Sequence, residues 1–302
     1  MRLRVRPPFP VGAAAWPPSV PKPGKPARTG VHYDTDWARR WPARLARAIV
    51  IDDFYRPLIQ VLGSPRVTGL DRIADLDGPA IFAANHYSHL DTPLVLTSLP
   101  PRFRHRTVVA AAADYFFTSR ARGAVSALTI GAIPIERTRV NRRSADMAAE
   151  LLDDGWSLVI FPEGGRSPDG WGQDFRGGAA YLAYRCNKPV VPVYVGGTRR
   201  VLKKGARYPT PVGSPFARGS GVSVDFGAPL RPGDESSHRF ALRVEAAVAA
   251  LGDEVATDWW TARRRAAAGT TPALTGPATS PWRRSWALDE NRRPAEDTPD
   301  WP

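Results

Sequence analysis

The sequence predicts an α/β protein with a mostly parallel central sheet flanked by helices, preceded by an N-terminal helical segment and bounded by extended tails. From about residue 69, short runs of continuous apolar character alternate with stretches of helical periodicity. Such runs are typical of parallel strands, because crossover helices bury both faces of the sheet. The length of 302 residues and the apolar content of 43% suit one domain with flanking segments.

Strands and helices alternate in the central part of the chain. The predicted strands are 80–84, 107–112, 132–135, 157–161, 190–195 and 222–226. The predicted helices are 92–98, 115–128, 142–154, 176–187 and 237–251. Because helices separate most of the strands, the pattern indicates parallel crossover units rather than hairpins.

Composition and periodicity divide the chain into four segments. Residues 1–35 are basic and rich in proline and are predicted to be a disordered arm, since they bury too little surface to offset their ordering entropy. Residues 36–68 carry an amphipathic helical pattern, which prolines at 42 and 57 are expected to kink or interrupt. Residues 69–256 form the central domain, and residues 257–302 form a tail rich in tryptophan and arginine.

The charge and the cysteine content limit the class of protein. A formal net charge of +13 indicates an anionic partner, which can be a nucleic acid, an anionic membrane surface or a phosphate-bearing substrate. The single cysteine, Cys186, excludes an intramolecular disulfide and favours a reducing compartment. No window holds about 18 consecutive apolar residues, so we expect no membrane-spanning helix and at most contact with a membrane surface.

A histidine and an aspartate stand five residues apart where the first predicted strand ends. Residues 85–91 read Asn-His-Tyr-Ser-His-Leu-Asp, with His86 at the strand end and Asp91 before Thr-Pro at a helix start. Open α/β sheets place their chemistry at the carboxyl ends of strands. A sharp turn here can bring the Asp91 carboxylate against the His86 ring, which fixes the tautomer and leaves the other nitrogen as a base.

Three other interpretations of this turn stay open on its residues alone. Asp91 can serve only as a helix N-cap beside an ordinary loop histidine. His89 is a competing histidine in the same turn. Two histidines and an aspartate can also bind a metal, although no further His or Cys cluster supplies the other ligands.

Another block, at residues 161–167, places two charged residues in a glycine-rich turn. Residues 161–167 read Phe-Pro-Glu-Gly-Gly-Arg-Ser after an apolar run, so Glu163 and Arg166 flank Gly164. Glycine permits a positive φ and a close approach of the backbone to a ligand. This block therefore predicts a binding loop at the end of a strand.

Two more arginines stand where anions are commonly bound. Arg137 ends the block Gly-Ala-Ile-Pro-Ile-Glu-Arg at 131–137, and Arg176 precedes Gly-Gly at a predicted helix start. The planar guanidinium fork matches phosphate oxygens, and a helix N-terminus adds free N–H groups and the helix dipole. Taken alone, a surface arginine at a strand end is the simpler interpretation of Arg137.

In their order along the chain, the blocks resemble those of the glycerolipid acyltransferase superfamily, which includes the glycerol-3-phosphate and 1-acylglycerol-3-phosphate acyltransferases. Residues 85–91 are similar to its first block, Asn-His-x-Ser-x-x-Asp. Residues 161–167 match six of the seven positions of Phe-Pro-Glu-Gly-Thr-Arg-Ser, with Gly165 in place of threonine. Residues 131–137 and the Val-Val-Pro-Val run at 190–193 resemble the second and fourth blocks, so the resemblance covers about 80–195 and neither tail.

The resemblance implies a glycerol-3-phosphate acyltransferase-like fold, with 69–256 as the catalytic domain. It implies transfer of a fatty acyl group from an acyl-CoA or acyl-carrier-protein thioester to the hydroxyl of lysophosphatidic acid in phospholipid biosynthesis. His86 would be the general base and Asp91 would stabilise its imidazolium form. The implied substrate-binding residues are Arg137, Glu163, Gly164, Arg166 and Arg176. Glu163 would orient Arg166 or accept from a substrate hydroxyl, and neither a metal nor a cofactor is expected.

Several alternatives remain beside this interpretation. Within the superfamily, the acceptor can be glycerol 3-phosphate or another lysophospholipid. A hydrolase can use the same base on water, and a membrane lipid-binding scaffold can keep the fold without the chemistry, although a scaffold has no need of both His86 and Asp91. A nucleic-acid partner is not expected, because no binding motif for one is recognisable.

An anionic membrane surface is the expected partner, since both substrates are lipidic. We expect a cytoplasmic, peripheral protein on the inner face of the plasma membrane. Tryptophans and arginines in 36–68 and in the tail suit interfacial anchoring, with rings at the headgroup level and cations on anionic lipid. The competing hypothesis is that the tail folds back and packs its tryptophans on the catalytic domain.

Overall fold

One seven-stranded sheet forms the centre of the computed structural model. The structure describes residues 30–137, 142–213, 221–279, 283–284 and 287–288. The strands are β1 Arg66–Thr68, β2 Ile81–Ala84, β3 Thr107–Ala112, β4 Ala132–Ile135, β5 Ser157–Ile160, β6 Val190–Gly196 and β7 Ser223–Phe226. Their order is β1-β7-β6-β2-β5-β3-β4, and within this described part neighbours are parallel except for the antiparallel pair β6–β7. The predicted α/β class with a mostly parallel sheet is confirmed.

The helices lie between the strands, as the alternation predicts. They are α1 Trp41–Ile49, α2 Arg56–Gly63, α3 Asp91–Ser98, α4 Pro101–Arg104, α5 Ala113–Phe116, α6 Arg120–Ile130, α7 Arg142–Asp153, α8 Gly178–Cys186, α9 Thr198–Val201, α10 Ser237–Ala256 and α11 Trp259–Ala268. The single helix predicted at 115–128 is two helices, α5 and α6. The reason is Ser119, whose hydroxyl accepts from the Arg122 N–H and caps the start of α6.

Each face of the sheet carries its own apolar core, because successive strand residues point to opposite sides. Phe82 of β2 packs with Leu94 of α3 on one face. Ile81 packs with Leu152 of α7 and Phe240 of α10 on the other. Successive residues of one strand are therefore both fully buried, each on a different face of the sheet, which is why the strand sequences are continuous apolar runs.

The segment predicted as a helical unit at 36–68 has a more varied structure. Pro42 lies in the first turn of α1, where a missing N–H costs nothing, so it marks the start of that helix. Pro57 instead lies within continuous helical backbone, where its missing N–H coincides with a change of the hydrogen-bond pattern. A π-helical stretch, Val50–Tyr55, joins α1 to α2. The segment ends in the edge strand β1, which pairs with β7. The three residues of β1 do not form an apolar run, so the sequence did not predict this strand, and only its pairing with β7 shows it.

Helix α1 turns its arginines inward and its apolar side chains outward. Arg47 is 3% exposed and donates to two main-chain carbonyls, one of them that of Ala38 at 3.0 Å. Trp41, Leu45 and Ile49 repeat at four-residue spacing and are exposed. Across the residues described here, no helix is both long and apolar enough to cross a membrane.

Part of the predicted N-terminal arm lies on the domain. The N–H of Gly30 donates to the carbonyl of Phe117 at 2.8 Å, and the ring of Tyr33 packs 5.4 Å from that of Phe117. Composition alone could not indicate this docking, because it depends on one aromatic contact. Residues 1–29, which carry most of the prediction, lie outside the described residues.

The chain is helical for longer at its C-terminal end than predicted. Helix α10 continues to Ala256, and α11 occupies the start of the predicted tail. Arg265 of α11 donates to Asp253 of α10 at 2.6 Å, and Leu274 is buried against Val248. Residues 257–279 therefore pack on the domain, while the side chains of Trp259 and Trp260 are exposed. The tail's other tryptophans lie outside the described residues.

Candidate active site

The predicted site residues meet at one edge of the sheet. Strands β6, β2, β5, β3 and β4 are adjacent and parallel, so their carboxyl ends share this edge. His86 follows β2, the loop at 161–167 follows β5, and Arg137 follows β4. Three sequence blocks that are far apart along the chain thus form one site, at the position where open α/β sheets bind ligands.

His86 and Asp91 form a hydrogen-bonded pair. The Nδ1 atom of His86 lies 2.8 Å from Oδ2 of Asp91. Because the carboxylate accepts, Nδ1 carries a proton and Nε2 keeps its lone pair. The side chain of Asp91 is fully buried, whereas that of His86 is 16% exposed and lines a cavity. This is the arrangement of a general base whose tautomer a carboxylate fixes.

Both oxygens of the Asp91 carboxylate accept hydrogen bonds from groups held by other parts of the chain. Oδ2 also accepts from the backbone N–H groups of Tyr87 at 2.6 Å and Ser88 at 2.7 Å. Oδ1 accepts from the hydroxyl of Thr198, which is fully buried, at 2.5 Å. Asp91 is thus the first residue of α3 without capping it, since its donors belong to the preceding loop and to α9.

Asn85 fixes the start of the same loop against β6. Its side-chain amide exchanges two hydrogen bonds with the backbone of Val195, each 2.8 Å long. The carbonyl of His86 accepts from the N–H of Ser167, also at 2.8 Å. The loop that carries the base is therefore tied to its neighbours on both sides.

Glu163 lies beneath the base rather than beside a substrate site. It is 2% exposed, and its two oxygens accept from the backbone N–H groups of His86 at 2.8 Å and Gln173 at 3.0 Å. Burial raises the pKa of the Glu163 carboxyl to about 8, although the two N–H donors pull it down. Glu163 was predicted to orient Arg166 or to accept from a substrate hydroxyl. In the structure it holds the loops that carry His86 and Gln173 and does not line the cavity.

Two aromatic rings distinguish His86 from His89. The ring of His86 stacks on Phe161 with centroids 4.1 Å apart, which fixes its plane. The Nε2 atom of His89 lies 3.0 Å from the Tyr115 hydroxyl, and no carboxylate among the described residues contacts that ring. Burial, and secondly the Arg166 charge, lower the pKa of His89 to about 4, which makes His89 a weak base.

Three arginines and one lysine line the same cavity as His86. The guanidinium of Arg166 lies 5.9 Å from the Tyr115 ring centre and has no carboxylate partner within the described part of the chain. Arg137 donates to Asp114 at 2.7 Å. Arg176 donates to the main-chain carbonyl of Arg137, and Nζ of Lys204 lies 3.2 Å from that of Arg166. The geometry concentrates positive charge beside the base.

The two glycines after Glu163 have different roles. Gly164 has a φ of +74°, and a Cβ atom there would lie 3.0 Å from the guanidinium carbon of Arg176. A side chain at 164 would therefore be strained and would displace that arginine. At Gly165 a Cβ atom would meet only Nη1 of Arg137, at 3.6 Å. The threonine usual in the resembled block would fit at 165.

The cavity that His86 lines has a volume of about 1120 Å³, and its lining is mainly apolar. It reaches both faces of the sheet. Val109 and Ile130 line it on the face of α6, while Ala148 and Leu182 line it on the face of α7 and α8. Small-molecule sites typically occupy about 300–1,000 Å³, so this cavity exceeds the needs of a small polar ligand.

Several of these residues were missed from the sequence. Thr198, Asp114, Tyr115 and Lys204 all contact the predicted site residues or line the cavity, yet none belongs to a block that the sequence singled out. Asp114 and Thr198 directly follow β3 and β6, so a search of every strand end would have reached them. Tyr115 and Lys204 carried no comparable signal.

Comparison with known proteins gives one family and several relatives. The family model described as Acyltransferase matches residues 64–196, from just before β1 to the end of β6. The chloroplastic 1-acyl-sn-glycerol-3-phosphate acyltransferase BAT2 of Brassica napus is 30% identical over 166 residues, which are 54% of this chain and 44% of that protein. The chloroplastic protein LPAT1 of Arabidopsis thaliana, with the same activity in its name, is 31% identical over 166 residues, 54% and 42% of the two chains. The matches thus span less than half the length of these relatives.

A solved structure shares the fold. The crystal structure of the 1-acyl-sn-glycerophosphate (LPA) acyltransferase PlsC from Thermotoga maritima superposes with a TM-score of 0.52. The match covers 73% of this chain and 83% of that one at 23% identity. At this identity the likeness supports the architecture and leaves the chemistry to the site itself.

Proposed function

We propose that this protein, whose residues 64–196 match the family model described as Acyltransferase, moves a fatty acyl group from a thioester to the hydroxyl of 1-acyl-sn-glycerol 3-phosphate. The observation that carries the proposal is the His86–Asp91 pair, in which His86 lines a large, mainly apolar cavity together with three arginines. The pair supplies a base, the cavity supplies room for acyl chains, and the arginines supply a site for phosphate.

The base acts on the acceptor hydroxyl. A hydroxyl is a weak nucleophile until its proton is removed, and Nε2 of His86 is placed to take that proton. As the proton arrives, the imidazolium is stabilised by the buried Asp91 carboxylate 2.8 Å from Nδ1. The hydroxyl oxygen then attacks the thioester carbonyl carbon. When the tetrahedral intermediate collapses, the C–S bond breaks and His86 returns the proton to the leaving thiolate, so that ester and free thiol are formed.

The arginines hold the phosphate of the acceptor. Arg166 is the strongest candidate, since its guanidinium faces the cavity without a carboxylate partner among the described residues. Arg137 can join it by exchanging Asp114 for the phosphate, because that ion pair is exposed and therefore weak. Arg176 supports the arrangement through the carbonyl of Arg137 and its packing on Gly164. Fixing the phosphate orients the hydroxyl toward His86.

The cavity supports a lysophospholipid rather than glycerol 3-phosphate as the acceptor. A cavity of about 1120 Å³ that reaches both faces of the sheet offers apolar surface for hydrocarbon as well as for a headgroup. Glycerol 3-phosphate has no hydrocarbon to bury. The names of the relatives, which are 1-acyl-sn-glycerol-3-phosphate acyltransferases, favour the same acceptor.

A membrane surface is the proposed place of the reaction. The outward apolar row of α1, formed by Trp41, Leu45 and Ile49, has no counterpart in an ordinary surface helix, which turns its polar residues to water. An amphipathic helix of this kind lies in the interface with its apolar face in the lipid. The net charge of +13 favours anionic lipid, which is concentrated on the cytoplasmic leaflet of the plasma membrane.

A crossed panel of substrates tests the activity. Purified protein and the His86→Ala variant would be given radiolabelled palmitoyl-CoA or palmitoyl-carrier protein with lysophosphatidic acid, glycerol 3-phosphate or monoacylglycerol. The proposal expects phosphatidic acid from lysophosphatidic acid, with little product from the other acceptors. Free fatty acid at the same rate with every acceptor would instead indicate a thioesterase. Lipid binding without thioester cleavage would indicate a scaffold.

Vesicle co-sedimentation tests the membrane proposal independently of turnover. The double variant Trp41→Ala, Leu45→Ala should bind phosphatidylglycerol vesicles more weakly than wild type at both low and high salt, because the lost contacts are apolar. Leu242→Ala, which removes an equally exposed apolar side chain from α10, is the matched control. Equal binding of all three proteins would exclude α1 as the membrane face.

A further inference from the structure

A strongly basic segment follows β6 directly, beyond the range of the family match. Five of the eleven residues at 198–208 are lysine or arginine, and none is acidic. The segment comprises α9 and a loop, and the hydrogen bond from the N–H of Thr210 to the carbonyl of Val201 at 2.7 Å closes that loop. It is thus a defined element and not an extended connection.

The segment is fastened to the catalytic loop. The hydroxyl of Ser88 donates to the carbonyl of Leu202 at 2.8 Å, and the hydroxyl of Thr198 donates to Asp91. Nζ of Lys204 lies 3.2 Å from the carbonyl of Arg166, and Lys204 lines the cavity that contains His86. A molecule bound on this segment can therefore continue into the active site.

The cations of the segment differ in what they already contact. Arg199 and Arg200 donate to the main-chain carbonyls of Asp169 and Gly221. Lys203, Lys204 and Arg207 are exposed, and none of the three has a carboxylate partner in the ranges that the structure describes. Three charges are therefore available for an anionic ligand, in addition to the arginines proposed to hold the acceptor phosphate.

An aromatic ring completes this surface. Tyr208 is 71% exposed, and the guanidinium of Arg207 lies 5.4 Å from its ring centre. An exposed planar ring beside cations suits a ligand that combines a heteroaromatic base with phosphates, since the ring stacks on the base and the cations bind the phosphate oxygens.

We propose that the segment Lys203–Tyr208 binds the nucleotide end of a coenzyme A thioester, with the cations on its phosphates and Tyr208 on its adenine ring. This inference rests on the proposed acyl transfer and specifies the donor of that reaction. The pantetheine arm then runs past Lys204 toward His86, and the acyl chain enters the cavity. A carrier protein presents one phosphodiester and no adenine, so it would leave the ring and part of the charge unused.

A truncated donor separates nucleotide recognition from catalysis. The kcat/KM values would be measured for palmitoyl-CoA and for S-palmitoyl-pantetheine, which lacks the nucleotide. The proteins compared are wild type, the double variant that combines Lys203→Ala with Arg207→Ala, and the single variant Tyr208→Ala. The double variant should lose roughly two- to fivefold per charge with palmitoyl-CoA, since contacts between exposed charged groups contribute on this scale. Its value with the pantetheine thioester should stay unchanged. Arg239→Ala, which removes an exposed arginine of α10, should change neither.

The possible outcomes distinguish this inference from the proposed function. Equal losses with both donors, or no loss with palmitoyl-CoA, would overturn the nucleotide site while leaving acyl transfer intact. A loss confined to palmitoyl-carrier protein would reassign the segment to a protein donor. If wild type transferred from no donor, the proposed function would fail, and titration calorimetry with free coenzyme A would still test the segment. Equal coenzyme A affinity in wild type and the double variant would then exclude it.

Discussion

The base and the cations at the cavity differ in how completely their polar groups are paired. On the base side, the buried Asp91 carboxylate accepts from His86, from Thr198 and from two backbone N–H groups. On the cation side, Arg137 has an exposed carboxylate partner, and Arg166 has none among the described residues. The base is therefore held in position before any substrate binds, whereas the anion site is completed only by its ligand.

This contrast predicts that changes on the base side lower kcat and that changes on the cation side raise KM. Groups that act on the transition state alone affect kcat, and groups that bind the substrate in both states affect KM. Substitutions on each side can test the contrast.

The largest effect is expected for His86→Ala. Loss of the base should lower kcat by about 10²–10⁴-fold, with little change in melting temperature because the side chain is partly exposed. His89→Ala is the matched control and should be much milder, since Tyr115 rather than a carboxylate contacts that ring. Steady-state kinetics and a melting curve decide the matter. An inactive His89→Ala variant together with an active His86→Ala variant would show that His89, and not His86, is the base.

A smaller effect, of a different kind, is expected for Arg166→Ala. The KM for lysophosphatidic acid should rise roughly tenfold while the KM for the thioester stays constant, because a charged contact to phosphate is lost. Asp114→Asn should act in the opposite direction, since it releases Arg137 for the phosphate. A KM change confined to the thioester would move these arginines to the donor site.

Thr198→Val tests the buried network at its most distant member. Without the hydroxyl, Oδ1 of Asp91 loses its side-chain donor, so the carboxylate that positions the His86 ring is held less firmly. We expect about a tenfold loss in kcat with little change in the KM for either substrate. Thr198→Ser, which keeps the donor, should restore kcat. An unchanged kcat in the valine variant would reduce Thr198 to a packing residue.

Glu163 predicts a pH dependence of stability. Burial raises the pKa of its carboxyl from 4.5 to about 8, so the folded protein retains a proton that the unfolded chain has released. The resulting stabilisation is complete below pH 4.5 and is lost as the pH rises through about 8. Glu163→Gln cannot ionise, so its melting temperature should fall less than that of wild type between about pH 6 and about pH 9, a range that spans this transition. An equal fall in melting temperature in the two proteins would contradict the raised pKa.

The smallest effect is expected for Gly165→Thr. A Cβ atom at this position meets only Arg137, at 3.6 Å, so the threonine found in the resembled block should fit. Replacing glycine without strain reduces the entropy of the unfolded chain and typically stabilises by about 0.4–1 kcal/mol. Chemical denaturation measures that gain, and activity should be retained. Loss of activity would show that the cation side needs the flexibility of this glycine.

Apolar runs and motif spacing predicted most of the sheet and the contact between His86 and Asp91. Apolar runs separated by helices predicted six of the seven strands, because strands buried on both faces must be apolar throughout. The spacing of His86 and Asp91 predicted their pairing, because a strand end and a helix start five residues apart leave room for one turn. The substrate roles of Arg137, Gly164, Arg166 and Arg176 stay predictions, although all four line one cavity.

The positions of the remaining groups depend on contacts between distant parts of the chain. Glu163 reads as a substrate residue along the chain, yet its neighbours in space are two backbone N–H groups from separate loops. Thr198 reaches Asp91 across 107 residues because β6 and β2 are adjacent in the sheet. The tail beyond 257 has the composition of a membrane anchor, yet Arg265 forms an ion pair with Asp253 and Leu274 packs in an apolar cluster on the domain. Local sequence encodes periodicity and turn chemistry, whereas long-range pairing depends on which strands and helices become neighbours, and that is fixed only when the whole sheet assembles.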